Sequence, residues 1–133
     1  MKALKRYTLI HSAFLDADET ATEVAVIDLE QTGQSRIQDL ETIFRLTNNI
    51  DGSWSQGAQI QTRDGDWIEN EDYDERVCTI VPLPVHKGRK YGLRSTSVGD
   101  HIKTDCGELW KCASIGWERV DELVENNYRA GRA

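Results

Sequence analysis

Proline, cysteine and methionine are scarce: 133 residues hold two, three and one of them. Cys78, Cys106 and Cys112 are odd in number and lack the close spacing of a zinc knuckle or redox pair. Buried, reduced thiols are therefore expected. His101 with Cys106 and Cys112 matches no standard ligand spacing, so neither a metal nor a cofactor is predicted. Long apolar runs are also missing. The stretch Thr79-Ile80-Val81-Pro82-Leu83 is broken by proline and is far too short for a membrane span. The basic opening Lys2–Arg6 is followed by polar Thr8, His11 and Ser12, which interrupt any signal-peptide core. These features predict a cytoplasmic protein without membrane association.

Catalytic signatures are missing too. No nucleophile elbow and no phosphate-binding glycine loop occurs. Ser95 or Ser97 with His101 and Asp100 would supply the residue types of a hydrolytic triad. On an extended segment, however, adjacent side chains point to opposite faces, so these neighbours do not converge. The expectation is a protein that is not an enzyme.

What is present is a lopsided distribution of charge. Residues 1–63 contribute −3 and residues 76–133 contribute +3. Between them lie Asp64, Asp66, Glu69, Glu71, Asp72, Asp74 and Glu75, so the whole net charge of −7 equals this one stretch. Asp64, Asp66, Asp72 and Glu75 have the spacing of several calcium-loop ligands. Ile68 and Glu69 then replace the central ligand and the turn glycine, which removes the EF-hand reading. Trp67 and Tyr73 stand among the carboxylates. A dense acidic surface repels nucleic acid and favours basic partners, with aromatics as apolar anchors. The bland reading is a solvated loop, the usual fate of a charge run.

The apolar pattern predicts an α+β chain of one domain, residues 1–133, with a mainly antiparallel sheet. Arg6–Leu15 and Thr22–Leu29 read as a pair of strands, the second rich in β-branched residues. Ser35 with Gln38 forms a capping-box pattern, and Ile37, Leu40, Ile43 and Phe44 give one apolar face to a central amphipathic helix ending near Asn48-Asn49. Trp54, in a polar loop, is expected to fold back onto the core. Arg76–Leu83, His101–Lys103 and Leu109–Ala113 read as further strands, and His86–Lys90 as a basic turn. Val120, Leu123, Val124 and Tyr128 have the spacing of a C-terminal helix.

The densest local signal is Arg94-Ser95-Thr96-Ser97-Val98-Gly99-Asp100, leading into His101-Ile102. Hydroxyls and an aspartate beside a glycine mark a turn with a defined backbone path. Arg94 is positioned to pair either with Asp100 or with the acidic stretch. The pattern T-x-x-G-D-x-I occurs twice, at Thr62–Ile68 and at Thr96–Ile102, as two similar turns into strands.

With Ile102, Trp110 and Gly116-Trp117 behind it, this motif resembles one in small phage- and plasmid-encoded proteins of unknown function. In them R-S-x-S-V-G-D-x-I precedes a strand and a G-F pair, and Trp117 departs from the usual phenylalanine. Phe44-Arg45-Leu46-Thr47-Asn48 and Trp54 are similar to a helix end and tryptophan found upstream, so the likeness covers residues 40–120. The resemblance implies a mobile-element setting, with the cytoplasm of a bacterial host cell as the location, and supplies no catalytic residues.

The sequence therefore predicts an acidic interaction protein that binds a basic bacterial protein through Asp64–Glu75. That partner could itself bind nucleic acid or serve in defence, with this chain mimicking the nucleic acid. The alternative is a nucleic-acid-binding module using the basic segment 86–94, with Lys87, Arg89, Lys90 and Arg94 as phosphate contacts.

Overall fold

The computed structural model describes residues 3–16 and 18–123. Ten strands and one helix run in the order β1 (Leu4–His11), β2 (Thr22–Glu30), α1 (Arg36–Leu46), β3 (Gln59–Gln61), β4 (Trp67–Glu69), β5 (Val77–Thr79), β6 (Val85–His86), β7 (Arg89–Lys90), β8 (His101–Thr104), β9 (Leu109–Cys112) and β10 (Trp117–Val120). Six of the strands form one antiparallel sheet in the order β10-β9-β8-β1-β2-β5. The remaining four form two separate hairpins, β3–β4 and β6–β7. This is the α+β architecture that the apolar pattern predicts.

Strand β1 is flanked by β2 and β8, and its residues alternate between solvent and core until the end, where Leu9 to His11 are all buried. A register shift between Leu9 and Ile10 accompanies that change, since Leu9 opposes Ala25 while Ile10 opposes Glu23. The extra residue is Val24 of β2, and a bulge bends the strand that carries it. Beyond the end of β1, the backbone N–H groups of Ser12 and Ala13 reach Asp100.

Helix α1 begins with the predicted capping box: Ser35 accepts from the Gln38 N–H, and Gln38 accepts from the Ser35 N–H. Leu40 and Ile43 are fully buried in one cluster with Tyr7, Leu9, Ala25, Ile27 and Ile102. Burial of each such side chain stabilises the fold by about 1.5–3 kcal/mol. The buried face is turned relative to the predicted one, because Ile37 is 42% exposed while Asp39 is buried at 1%. Asp39 can take that place because Lys5, Tyr7 and Gln34 all bind its carboxylate. The helix stops at Thr47, one residue before the predicted cap, and the Asn48 side chain then donates to the Phe44 carbonyl.

Several other expectations change. The strand expected over Arg76–Leu83 pairs only at Val77–Thr79, where β5 forms an edge of the sheet. Cys112 is buried, and burial pushes its thiol up to about 11. Cys78 and Cys106 are exposed, contrary to expectation, since one lies on the edge strand β5 and the other in the turn after β8. Glu118 to Val120, expected to begin the C-terminal helix, belong instead to β10, which pairs with β9 from Trp117↔Cys112 to Val120↔Leu109. Gly116, at φ +70°, makes the reversal that sets this pairing. The rest of the predicted helix, from Val124 onward, lies outside the described residues. No described helix is long and apolar enough to cross a membrane.

Candidate functional site

Asp100 is fully buried, and every partner of its carboxylate is a donor. Arg94 grips it with both guanidinium nitrogens, at 2.7 and 2.8 Å. The backbone N–H groups of Ser12, Ala13 and Ser97 donate to it at 2.9, 3.0 and 2.8 Å. Burial alone would raise the carboxyl pKa. Arg94, the neighbouring His11 and the Ala13 and Ser97 amides outweigh it and hold the group below the ordinary range. Arg94 thus resolves its two predicted options in favour of Asp100 rather than the acidic stretch. Its guanidinium also donates to the Ala13 carbonyl and lies 5.4 Å from the centre of the Phe14 ring.

The other residues of the motif tie it to distant parts of the chain. Thr96 bonds to Thr47 through both its hydroxyl, at 2.8 Å, and its N–H, at 2.9 Å. Ser95 accepts from the Asn49 N–H, and the Arg94 carbonyl accepts from the Trp54 indole. Trp54 is therefore a core residue, 2% exposed, with its polar edge satisfied. The stretch joins the end of α1, the Trp54 loop, the end of β1 and the start of β8. Its role is to assemble the fold.

Gly99 has φ +98°, and its N–H donates to the Cys112 carbonyl. A β-branched residue is strained in that conformation. Gly99→Val is expected to lower stability by about 2–4 kcal/mol, combining strain with disturbance of the Asp100 bonds. Thermal melting checks this, and an unchanged midpoint would refute the tight-turn account. Gly65, at φ +93°, makes the matching turn of the sequence echo, where the Thr62 N–H donates to the Asp66 carbonyl. There the likeness ends, because Asp66 is exposed and Asp100 is enclosed.

A serine–histidine pair does occur here, at 2.6 Å between Ser12 Oγ and His101 Nδ1. Its geometry opposes nucleophilic chemistry. Ser12 donates its one hydroxyl proton to the Gly99 carbonyl, so His101 must be the donor to Ser12. Both side chains are also fully enclosed, beyond reach of a substrate. Ser95 and Ser97 make no contact with His101 among the bonds described, and each serves the turn instead.

The acidic stretch divides into two parts. Asp64 and Asp66 occupy the tip of the β3–β4 hairpin, Glu69 lies on β4, and Glu71 stands in the turn beyond it; all four are exposed. Trp67 is 62% exposed and Tyr73 is 48% exposed. Asp72 and Asp74, by contrast, hold the chain together. Asp72 accepts from the backbone N–H groups of Ile50, Asp51 and Gly52 at 2.6, 3.0 and 2.8 Å. Asp74 forms a two-pronged bond with Arg76, which holds its carboxyl below the usual range. Tyr73, Asp74 and Glu75 border a cavity of about 940 Å³ that also meets Arg45, Arg76 and Asp39. Cations therefore interrupt the acidic surface at that end.

Asn70 is the residue that sequence reading misses. It is 4% exposed, and its side chain accepts from the Ser53 N–H and donates to the Ser53 and Gly57 carbonyls. It thereby fixes the Trp54 loop to the hairpin that carries the carboxylates. A lone asparagine among acids gives no pattern that would reveal this.

The basic segment is likewise divided. Lys87 and Gly88, both at positive φ, form the tight turn between β6 and β7. Arg89 donates to the Gln61 carbonyl, and Arg94 is committed to Asp100. Among the described residues, no cluster of three or more His, Cys, Asp or Glu side chains is arranged to hold a metal ion. Comparison with known families, curated proteins and solved structures finds no match to the chain.

Proposed function

We propose that this chain is a non-enzymatic, acidic interaction protein of a phage or other mobile element. It binds and modulates a basic bacterial protein by occupying a surface that would otherwise hold nucleic acid, as a counter-defence protein would. The observation that carries this reading is the β3–β4 hairpin, on which exposed Asp64, Asp66 and Glu69 surround an exposed Trp67. Carboxylates spaced along an extended hairpin present a row of negative charge, and an indole among them supplies a desolvated anchor. The resemblance of Arg94–Ile102 to mobile-element proteins supports the setting. The nucleic-acid-binding alternative loses Arg94, whose two terminal guanidinium nitrogens are already committed to Asp100 and two carbonyls.

The test reverses charges that serve no internal bond described for the fold. Asp64→Lys, Asp66→Lys, Glu69→Lys and Glu71→Lys combined are expected to abolish capture of a basic partner from nuclease-treated bacterial lysate. The melting temperature should change little, because all four positions are exposed. Asp72 is excluded from the set because its reversal would break three backbone bonds. Undiminished capture by the fourfold variant would refute the reading.

A further inference from the structure

A second feature lies on the same hairpin but uses different chemistry. In β3–β4, Gln59 opposes Glu69 and Gln61 opposes Trp67, so these four side chains share one face. A cavity of about 330 Å³ is bordered by Gln59, Gln61 and Trp67 from that face, by Gln56 and Ser55 from the preceding loop, and by Lys90 from β7. Its volume lies at the low end of small-molecule sites. Among the described residues no carboxylate borders it, and its one charged side chain is that of Lys90.

We infer that this cleft binds a neutral, hydroxyl-rich ring, a saccharide unit, stacked on Trp67 and held by the glutamine amides. Two of the amides are half-used in a way that selects the ligand. Gln61 Nε2 donates to the Gly65 carbonyl at 3.2 Å, and Gln56 Nε2 donates to the Lys90 carbonyl at 3.5 Å. Each amide oxygen remains open as an acceptor, which suits a ligand rich in O–H donors. Gln59, exposed at the rim, offers both a donor and an acceptor to neighbouring hydroxyls. The indole face presents a flat, electron-rich surface to the C–H groups of a sugar ring. A nucleotide base would stack equally well on the indole, and Lys90 would not repel its phosphate; the open amide oxygens, acceptors for O–H donors, favour the neutral sugar.

The inference shares Trp67 with the docking proposal but takes its polar contacts from amides and not carboxylates, so Gln59→Ala separates the two. Its test is titration of the full chain with glucose, galactose, mannose and N-acetylglucosamine, monitored at the amide and indole resonances in 1H–15N spectra. Saturable shifts are expected at the side-chain amides of Gln56, Gln59 and Gln61 and at the Trp67 indole for at least one sugar. Trp67→Ala should weaken that binding by about tenfold or more, as expected for loss of a stacking platform. Gln59→Ala should weaken it as well, while leaving capture of a basic protein unchanged. Absence of saturable shifts with all four sugars would overturn the assignment. So would shifts that persist in Trp67→Ala, or saturation by adenosine or uridine alone.

Discussion

Asp100→Asn is expected to destabilise the fold by about 3–5 kcal/mol, the range for breaking a buried, hydrogen-bonded ion pair. The change is nearly isosteric, so the effect reports charge and hydrogen-bond polarity rather than volume. Five donor contacts converge on the carboxylate: two from Arg94 and one each from Ser12, Ala13 and Ser97. An asparagine offers one acceptor oxygen and must turn its NH₂ toward other donors. The Arg94 charge would then stand beside an uncharged amide, with fewer acceptors for the buried N–H groups. A domain is stabilised by only about 5–15 kcal/mol in total, so the variant should lie near the limit of folding. Urea denaturation at neutral pH measures the change, and a wild-type midpoint would show that the motif does not hold the fold. Arg94→Lys is expected to act in the same direction, because one ammonium cannot reproduce a two-pronged grip.

The second large effect is on pH dependence. Burial pushes the His11 imidazole down to about 4, and burial together with the Lys111 charge lowers His101. In the unfolded chain both titrate near the ordinary value of about 6.5. Between those limits the unfolded state binds more protons, so stability rises with pH. The contribution is complete above about pH 6.5 and is lost as pH falls toward 4. For His11 it amounts to about 3 kcal/mol by the linkage relation. Asp100, also held below its ordinary value, loses its contribution only at lower pH, as the acid range of its own carboxyl is crossed. His11 Nε2 has no hydrogen-bond partner among the described residues, and its ring meets Trp54 edge-on. His11→Phe should therefore fold and show a shallower fall in denaturation midpoint from pH 7 to pH 4.5. An unchanged slope would contradict the assignment.

The parts of this fold that were legible in the sequence rest on local chemistry. The capping box at Ser35 and Gln38 needs only four residues, and the β-branched run of β2 states its own conformation. The Gly99-Asp100 turn was readable for the same reason. Its partners were not, because Ser12 and Ala13 lie 88 and 87 residues away and bind through backbone N–H groups that any sequence possesses. Asp39 defeated the apolar pattern of α1, since nothing near it announces that Lys5, Tyr7 and Gln34 will compensate its burial. The C-terminal pattern failed at Val120 because a strand partner in β9 overrides helical spacing over so few residues. In the candidate site, composition revealed the acidic character of Asp64–Glu75. It could not separate the exposed carboxylates from Asp72 and Asp74, whose internal partners lie in other segments or depend on a particular turn.

If the exposed carboxylates of the β3–β4 hairpin stand in for nucleic acid on a basic protein, the two must compete for one surface. Displacement of the captured partner from immobilised protein by DNA or RNA, in rising salt, measures that competition. The expected result is one basic protein in stoichiometric amount, released by moderate salt and displaced by added nucleic acid. Capture that depends on nucleic acid in the lysate, and vanishes once nuclease is added, would contradict it.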